Sequence, residues 1–175
     1  IDVRSANPYV LSVERKILQP GESCSFDCSG AEGAVEVSCV PSIDLGGVWN
    51  YMKFYPHSCT EQISAKGITL LSLLPQFDEQ RRAEVGDIIP SILSELYTRQ
   101  LSDGSFVLWK GETNVNLWAD AMAGHFLSLA SNEGYAVDGA VFSLWRNRVR
   151  NYVNSYRVAG NEYDALAAYC LYVLA

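Results

Sequence analysis

The spacing of apolar and polar residues along the chain changes near residue 43. Before that point, three segments alternate roughly residue by residue, as β-strands do: residues 9–18, 23–28 and 34–40. Glycine and proline residues separate these segments, because both interrupt extended structure. Three short strands cannot bury both faces of a sheet alone. We therefore expect residues 1–42 to be a small antiparallel β segment, part of a β module that adjoins the rest of the chain.

From residue 44 onward, apolar residues recur every three or four positions, which is typical of amphipathic helices. The first predicted helix is capped by Ser42 or Asp44 and ends at Pro56. The others cover residues 59–74, 78–101 with a bend or offset at Pro90, 115–131, 138–156 and 161–175. This pattern predicts a mainly α fold for residues 43–175, a partial α/α toroid of helical hairpins. Because the last helix is still amphipathic at residue 175, we expect a helical domain truncated at its C-terminal end.

Composition and charge narrow the classes of partner. Hydrophobic residues make up 49% of the chain, which is enough for a packed core, and the net charge is −7. Nucleic acids and anionic bilayers would be repelled by that charge. No apolar run approaches the roughly 20 residues that span a bilayer. The sequence thus predicts no nucleic-acid partner, and any membrane anchor would lie outside this stretch.

The chain contains five cysteines, so at least one of them cannot join an internal disulfide bond. Cys24 and Cys28 share a face of one predicted strand, which puts them too far apart to bridge each other easily. Pairing of either with Cys39 and free buried thiols both remain open. These three cysteines lack the spacing of a zinc site, and we expect no metal ion and no cofactor.

The strongest chemical signal is the tetrapeptide Cys59-Thr60-Glu61-Gln62. A spacing of three places the Cys59 and Gln62 side chains on one face of a helical turn, with Cβ atoms about 5–6 Å apart. A thiolate at that distance could attack the Gln62 carboxamide, expel ammonia and leave an internal thioester. Such a bond needs a dry site with fixed geometry. The aromatic residues that precede the motif favour such a site.

The segment from Tyr55 to Gln62 resembles the thioester region of the alpha-2-macroglobulin and complement superfamily, in particular its bacterial members. The similarity covers nearly the whole chain, with further segments at residues 7–22, 103–109, 118–127 and 169–175. It implies a secreted, periplasmic or cell-envelope protease inhibitor. Its partners would be proteases, captured covalently, and the rest of the same larger polypeptide. A trap that is used once is not an enzyme.

The resemblance also assigns supporting residues around the reacting pair. Glu61 could polarise the Gln62 amide or stabilise the helix end. His57 could assist, because an imidazole can shuttle protons near neutral pH. Ser58 stands where the family usually has glycine, and serine would reach a left-handed backbone angle only with strain. His125 is a downstream histidine, as in family members that pass the acyl group through histidine, but its helix face indicates packing.

Two other functions remain open at the level of sequence. An enzyme built on an α/α toroid, of the terpene-cyclase or glycosidase type, would suit the helical half. The cyclase needs an acidic cluster that is absent, and Asp103, Glu112 and Asp120 are the candidate glycosidase carboxylates. The second is an interaction domain that has kept the fold but lost the thioester, an idea that Ser58 favours.

Overall fold

The computed structural model describes residues 12–27, 35, 37 and 44–175. Contacts within the chain group it into two units, residues 1–43 and 44–175. In the first unit, residues 12–27 are exposed and form no strand. Pro20 and Gly21 make a turn, in which the Glu22 N–H donates to the Gln19 carbonyl at 3.0 Å. The rest of the predicted β segment lies outside the described residues, so that segment stays a prediction.

The second unit is mainly helical, which confirms the mainly α class. Its six α-helices are α1 Leu45–Phe54, α2 Thr60–Ser72, α3 Glu79–Tyr97, α4 Leu117–Asn132, α5 Gly139–Ser155 and α6 Glu162–Leu174, with a short 3₁₀ turn at Leu74–Gln76. These bounds lie within a few residues of the predicted ones. The toroid remains a prediction. None of the helices among the described residues combines the length and apolar character needed to cross a bilayer.

Local capping explains where most of these helices begin. Before five of the six, an Asp or Asn side chain accepts a hydrogen bond from a backbone N–H of the first turn: Asp44, Asp78, Asn116, Asp138 and Asn161. Helix α2 differs because its capping residue is Cys59. Pro90 lies inside α3, which continues past it as a single helix.

Helices α2 and α4 form the centre of the second unit, and two glycines let α4 approach both α2 and α5 closely. Gly67 of α2 faces the ring of Phe126, and Gly124 of α4 faces the ring of Trp145; a Cβ atom at either glycine would overlap the facing ring. Both rings are fully buried. The candidate thioester motif therefore lies at the start of a helix that packs closely against α4.

Residues 105–108, here named the inner loop, belong to the connection between α3 and α4 and lie largely inside the unit. The Asp120 carboxylate accepts a hydrogen bond from the Phe106 N–H at 2.8 Å and pairs with Arg148. The Trp145 indole donates to the Asp120 carbonyl at 3.1 Å. Burial raises the pKa of Asp120, and Arg148 and the Phe106 N–H act in the opposite direction. The inner loop is thus held against α4 and α5.

Candidate functional site

Cys59 and Gln62 lie together at the N-terminus of α2. Cys59 is the N-cap residue, with extended backbone angles, and Gln62 is the third residue of the helix. The Gln62 side chain folds back, so that its Oε1 accepts a hydrogen bond from the Cys59 N–H at 3.2 Å. This is the reciprocal geometry of a capping box. The structure therefore brings the two predicted reacting residues to one turn, with the carboxamide bent toward the cysteine.

The first turn of α2 is partly shielded from solvent. Cys59 is 9% exposed and Gln62 is half-buried. The Tyr55 phenol lies beside the Gln62 side chain, and its pKa is raised by burial and by Tyr51, with the Gln62 amide acting in the opposite direction. The Tyr51 and Tyr55 rings lie 5.1 Å apart. From the aromatic run that precedes the motif in sequence, Tyr55 thus lies next to the motif in space, and Tyr51 lies against Tyr55.

Ser58 shows none of the backbone strain that a glycine position would imply. Among the described residues, only glycines have a positive φ angle, so Ser58 has a negative one. The chain enters α2 through ordinary extended geometry, and Cys59 follows with φ −64° and ψ 162°. The expectation that serine reaches this position only with strain is therefore wrong for this chain.

The remaining predicted residues fall into different surroundings. Glu61 is exposed in the first turn of α2, where a carboxylate stabilises the helix N-terminus. His57 is exposed and packs edge-on against the Tyr55 ring at 5.3 Å. His125 belongs to a separate aromatic cluster, where its Nδ1 lies 2.8 Å from the Tyr169 hydroxyl. Its ring also packs edge-on against Tyr172, and a packing role for His125 stays a prediction.

The carboxylates considered for a glycosidase serve local structure. Asp103 accepts hydrogen bonds from the Ser105 N–H at 2.9 Å and from the Ser105 hydroxyl at 2.6 Å, which lower its pKa. Asp120 is engaged with the inner loop and Arg148. In the part of the chain that the structure describes, no group of three His, Cys, Asp or Glu side chains could hold a metal ion.

Two residues were given no role from the sequence: Thr60, which lies within the motif, and Arg99, which lies beside it. Thr60 is fully buried, and its N–H donates to the Leu108 carbonyl of the inner loop at 3.0 Å. Arg99 is 3% exposed and donates to the Thr60 hydroxyl at 3.3 Å. One sequence signal could have revealed Arg99: it lies three residues after Leu96, in line with the apolar stripe of α3, where a charged residue needs a buried partner.

The geometry can support one kind of chemistry at this turn. A thiol and a carboxamide on one helical turn can join as a thioester if the carboxamide carbon turns toward the sulfur. The hydrogen bond from the Cys59 N–H to Gln62 Oε1 would polarise the carbonyl in that reaction, as an oxyanion donor does. The same hydrogen bond also serves as an ordinary helix cap.

The sequence is similar to bacterial proteins named alpha-2-macroglobulin. The protein from Escherichia coli K12 is 28% identical over 171 residues, covering 87% of this chain and 10% of the relative. The protein from Xylella fastidiosa Temecula1 is 26% identical over 167 residues, covering 85% and 10%. An alpha-2-macroglobulin homolog from Yersinia pestis is 26% identical over 152 residues, covering 82% and 7%. No family model matches the sequence.

Solved structures agree with the sequence relatives at the level of fold. The crystal structure of native E. coli alpha-2-macroglobulin from domain MG7 to the C-terminus aligns with TM-score 0.58 and 24% identity, covering 77% of this chain and 23% of that chain. A cryo-EM reconstruction of the native conformation of the E. coli protein aligns with TM-score 0.55 and 24% identity, covering 74% and 9%. These comparisons confirm the resemblance. This chain spans about 10% of the length of the first curated relatives it matches.

Proposed function

We propose that this chain, a relative of the bacterial alpha-2-macroglobulins, is the thioester-carrying domain of a protease inhibitor of that type. The observation that carries the proposal is the placement of Cys59 and Gln62 on the first turn of α2, with Gln62 Oε1 3.2 Å from the Cys59 nitrogen. The similarity to the E. coli relative over 87% of the chain supports it. No cofactor or metal ion enters the proposal.

The proposed chemistry has two steps. In the first, Cys59 loses its proton and Sγ attacks Cδ of Gln62; the carbon–nitrogen bond breaks, and ammonia leaves with the proton. In the second, an amine or hydroxyl of a target attacks the thioester carbonyl and releases the Cys59 thiol, leaving an amide or ester at residue 62. Each chain reacts once, so the protein is a reagent rather than an enzyme.

The target and the setting follow from the family resemblance. A protease cleaves a bait region elsewhere in the larger polypeptide, the thioester becomes accessible, and the protease is linked at residue 62. Such a trap acts outside the cytoplasm, in the periplasm, at the cell envelope or after secretion. The burial of Cys59, at 9% exposure, supports a bond that is kept from water until it is needed.

One observation favours a second candidate, an interaction domain without a thioester. The hydrogen bond between the Cys59 N–H and the Gln62 side chain forms a capping box, which stabilises a helix without any reaction. In that case the Cys59–Gln62 pair is a structural feature of α2. Both candidates predict the same fold, so only the covalent state of residue 62 separates them.

The test is incorporation of methylamine, followed by intact mass and peptide mapping. We expect the purified protein to be lighter by one ammonia than its sequence predicts. Methylamine should then add at residue 62 and release one titratable thiol at Cys59. The Cys59→Ala variant serves as the control and should show neither change. A chain of full calculated mass, with unmodified Gln62 and no incorporation, would establish the second candidate instead.

A further inference from the structure

Arg99 lies two residues after the end of α3, and only 2% of its side chain is exposed. Its Nη1 donates to the Leu108 carbonyl at 3.1 Å and to the Thr60 hydroxyl at 3.3 Å. Its Nη2 pairs with Glu95 at 2.6 Å, and the guanidinium lies 5.8 Å from the centre of the Trp109 ring. A buried charge is tolerated only with such partners. These contacts pair the two terminal nitrogens of the guanidinium, whereas its buried Nε has no hydrogen-bond partner among the described residues.

Thr60, the second residue of the Cys-x-Glu-Gln motif, is attached to the inner loop by both its backbone and its side chain. The Thr60 N–H donates to the Leu108 carbonyl at 3.0 Å, and its hydroxyl donates to the Val107 carbonyl at 2.5 Å. The hydroxyl oxygen also accepts from Arg99. The first turn of α2 is therefore joined to α3 and the inner loop at the residue that follows Cys59.

We propose that Thr60 and Arg99 are positioning residues for thioester formation, an inference that rests on the proposed function. Neither touches the reacting atoms. Together they fix the first turn of α2, so that Sγ of Cys59 and Cδ of Gln62 keep one relative placement. Because Thr60 lies between the two reacting residues on the same turn, a rotation of its backbone moves both. Misplacement by about 1 Å can slow a reaction about a hundredfold.

The arrangement also explains why the anchor is an arginine. The guanidinium is a planar group with several donors in fixed directions, and here it reaches Thr60, Leu108 and Glu95 at once. A lysine has a single ammonium group on a flexible stem and would reach fewer of these acceptors while losing more side-chain entropy. The Trp109 ring further restricts the plane of the guanidinium.

The experiment compares variants that differ in one hydroxyl. Thr60→Val removes the hydroxyl but keeps the shape, whereas Thr60→Ser keeps the hydroxyl. We expect the rate at which newly folded protein loses ammonia, read by intact mass, to fall at least about tenfold in Thr60→Val and to stay within about twofold in Thr60→Ser. Arg99→Met should behave like Thr60→Val, and Arg99→Lys should fall between Arg99→Met and the wild type.

A general loss of stability must be separated from a loss of positioning. Val149→Ala removes core volume from α5 without touching the motif, so it serves as a destabilised control. We expect Val149→Ala to lower the melting temperature and yet form the thioester at the wild-type rate. If thioester formation instead follows melting temperature across all variants, the positioning role is overturned. Equal formation in Thr60→Val and wild type would overturn it as well.

Failure of the wild type to form a thioester would defeat the proposed function. A second measurement tests the positioning role even in that case. Hydrogen exchange at the Thr60 amide and peptide-level alkylation of Cys59 both report on the first turn of α2. We expect Arg99→Met to speed both by about tenfold relative to the Val149→Ala control, because loss of the anchor frees that turn to open locally. In protein that carries no thioester, unchanged exchange and alkylation would overturn the proposal; in protein that carries one, Cys59 has no free thiol to alkylate, and unchanged exchange at the Thr60 amide would overturn it.

Discussion

The residue type at the N-cap position distinguishes α2 from the other helices of this protein. Five helices begin with Asp or Asn, whose side chains are strong N-caps. Cysteine is a weak hydrogen-bond acceptor, so the cap at Cys59 depends largely on the Gln62 side chain. A residue chosen for capping alone would be Asp, Asn, Ser or Thr. Helix stability alone therefore does not explain the use of cysteine at this position.

Replacing Ser58 by glycine tests whether the family's usual residue matters in this chain. Ser58 has an ordinary backbone angle, so Ser58→Gly relieves no strain and adds freedom to the unfolded chain. We expect the variant to incorporate methylamine to the same extent as wild type and to lose about 0.4–1 kcal/mol of unfolding free energy. Urea denaturation and intact mass measure the two quantities. A clear rise in incorporation would show that Ser58 impairs the thioester.

At the scale of elements, close helix packing depends on two glycines that face aromatic rings. Gly67 and Gly124 allow α2, α4 and α5 to approach closely, and the rings of Phe126 and Trp145 fill the space that a Cβ atom would occupy. The Trp145 ring is also fixed by its hydrogen bond to the Asp120 carbonyl. It cannot move aside without breaking a buried contact.

Two glycine-to-alanine changes in helices should therefore have opposite effects. Gly124→Ala forces a methyl group into the Trp145 ring, and we expect it to lower the unfolding free energy by about 1–3 kcal/mol. Gly86→Ala is the matched control in α3, where a Cβ atom meets nothing within 4 Å; it should raise the unfolding free energy by about 0.5–1 kcal/mol. Urea denaturation measures both. Equal effects of the two variants would contradict the packing described for α4 and α5.

At the scale of the whole molecule, the stability of the second unit depends on pH through His125, among other groups. Burial lowers the pKa of His125 below its ordinary value of 6.5. The groups that face it are Tyr169, which shares a hydrogen bond with it, and Tyr172; burial raises the pKa of Tyr169 to about 12, so that phenol stays neutral. The unfolded chain thus binds a proton below pH 6.5 that the folded chain resists.

Acidification from pH 7 toward pH 5 should consequently destabilise wild type more than His125→Gln, because the variant lacks the group that the unfolded chain protonates. Asp120, whose pKa is raised by burial, contributes a slope of the opposite sign in both proteins and cancels in the comparison. Unfolding free energies from urea titrations at several pH values test this. Parallel pH profiles for the two proteins would show that His125 is not the group responsible.

Much of this protein can be predicted from local patterns in its sequence. The apolar period of three to four residues and the capping residues located the six helices, because hydrogen bonds within helices and their caps depend on near neighbours. The motif at residues 59–62 was found in the same way, since Cys59 and Gln62 belong to one turn. The family resemblance rests on that motif and is confirmed by the relatives.

The support of the motif, by contrast, arises from contacts between residues far apart in the chain. Arg99 meets Thr60 across 39 positions, and the Thr60 hydroxyl meets Val107 across 47. The position of Arg99 in line with the apolar stripe of α3 indicates burial, but nothing in the sequence shows that its partner is Thr60. Tertiary structure decides which helix faces meet and which buried polar groups form hydrogen bonds with each other. The reason is that a buried polar group without a hydrogen-bond partner is costly, and its partner can lie anywhere in the sequence.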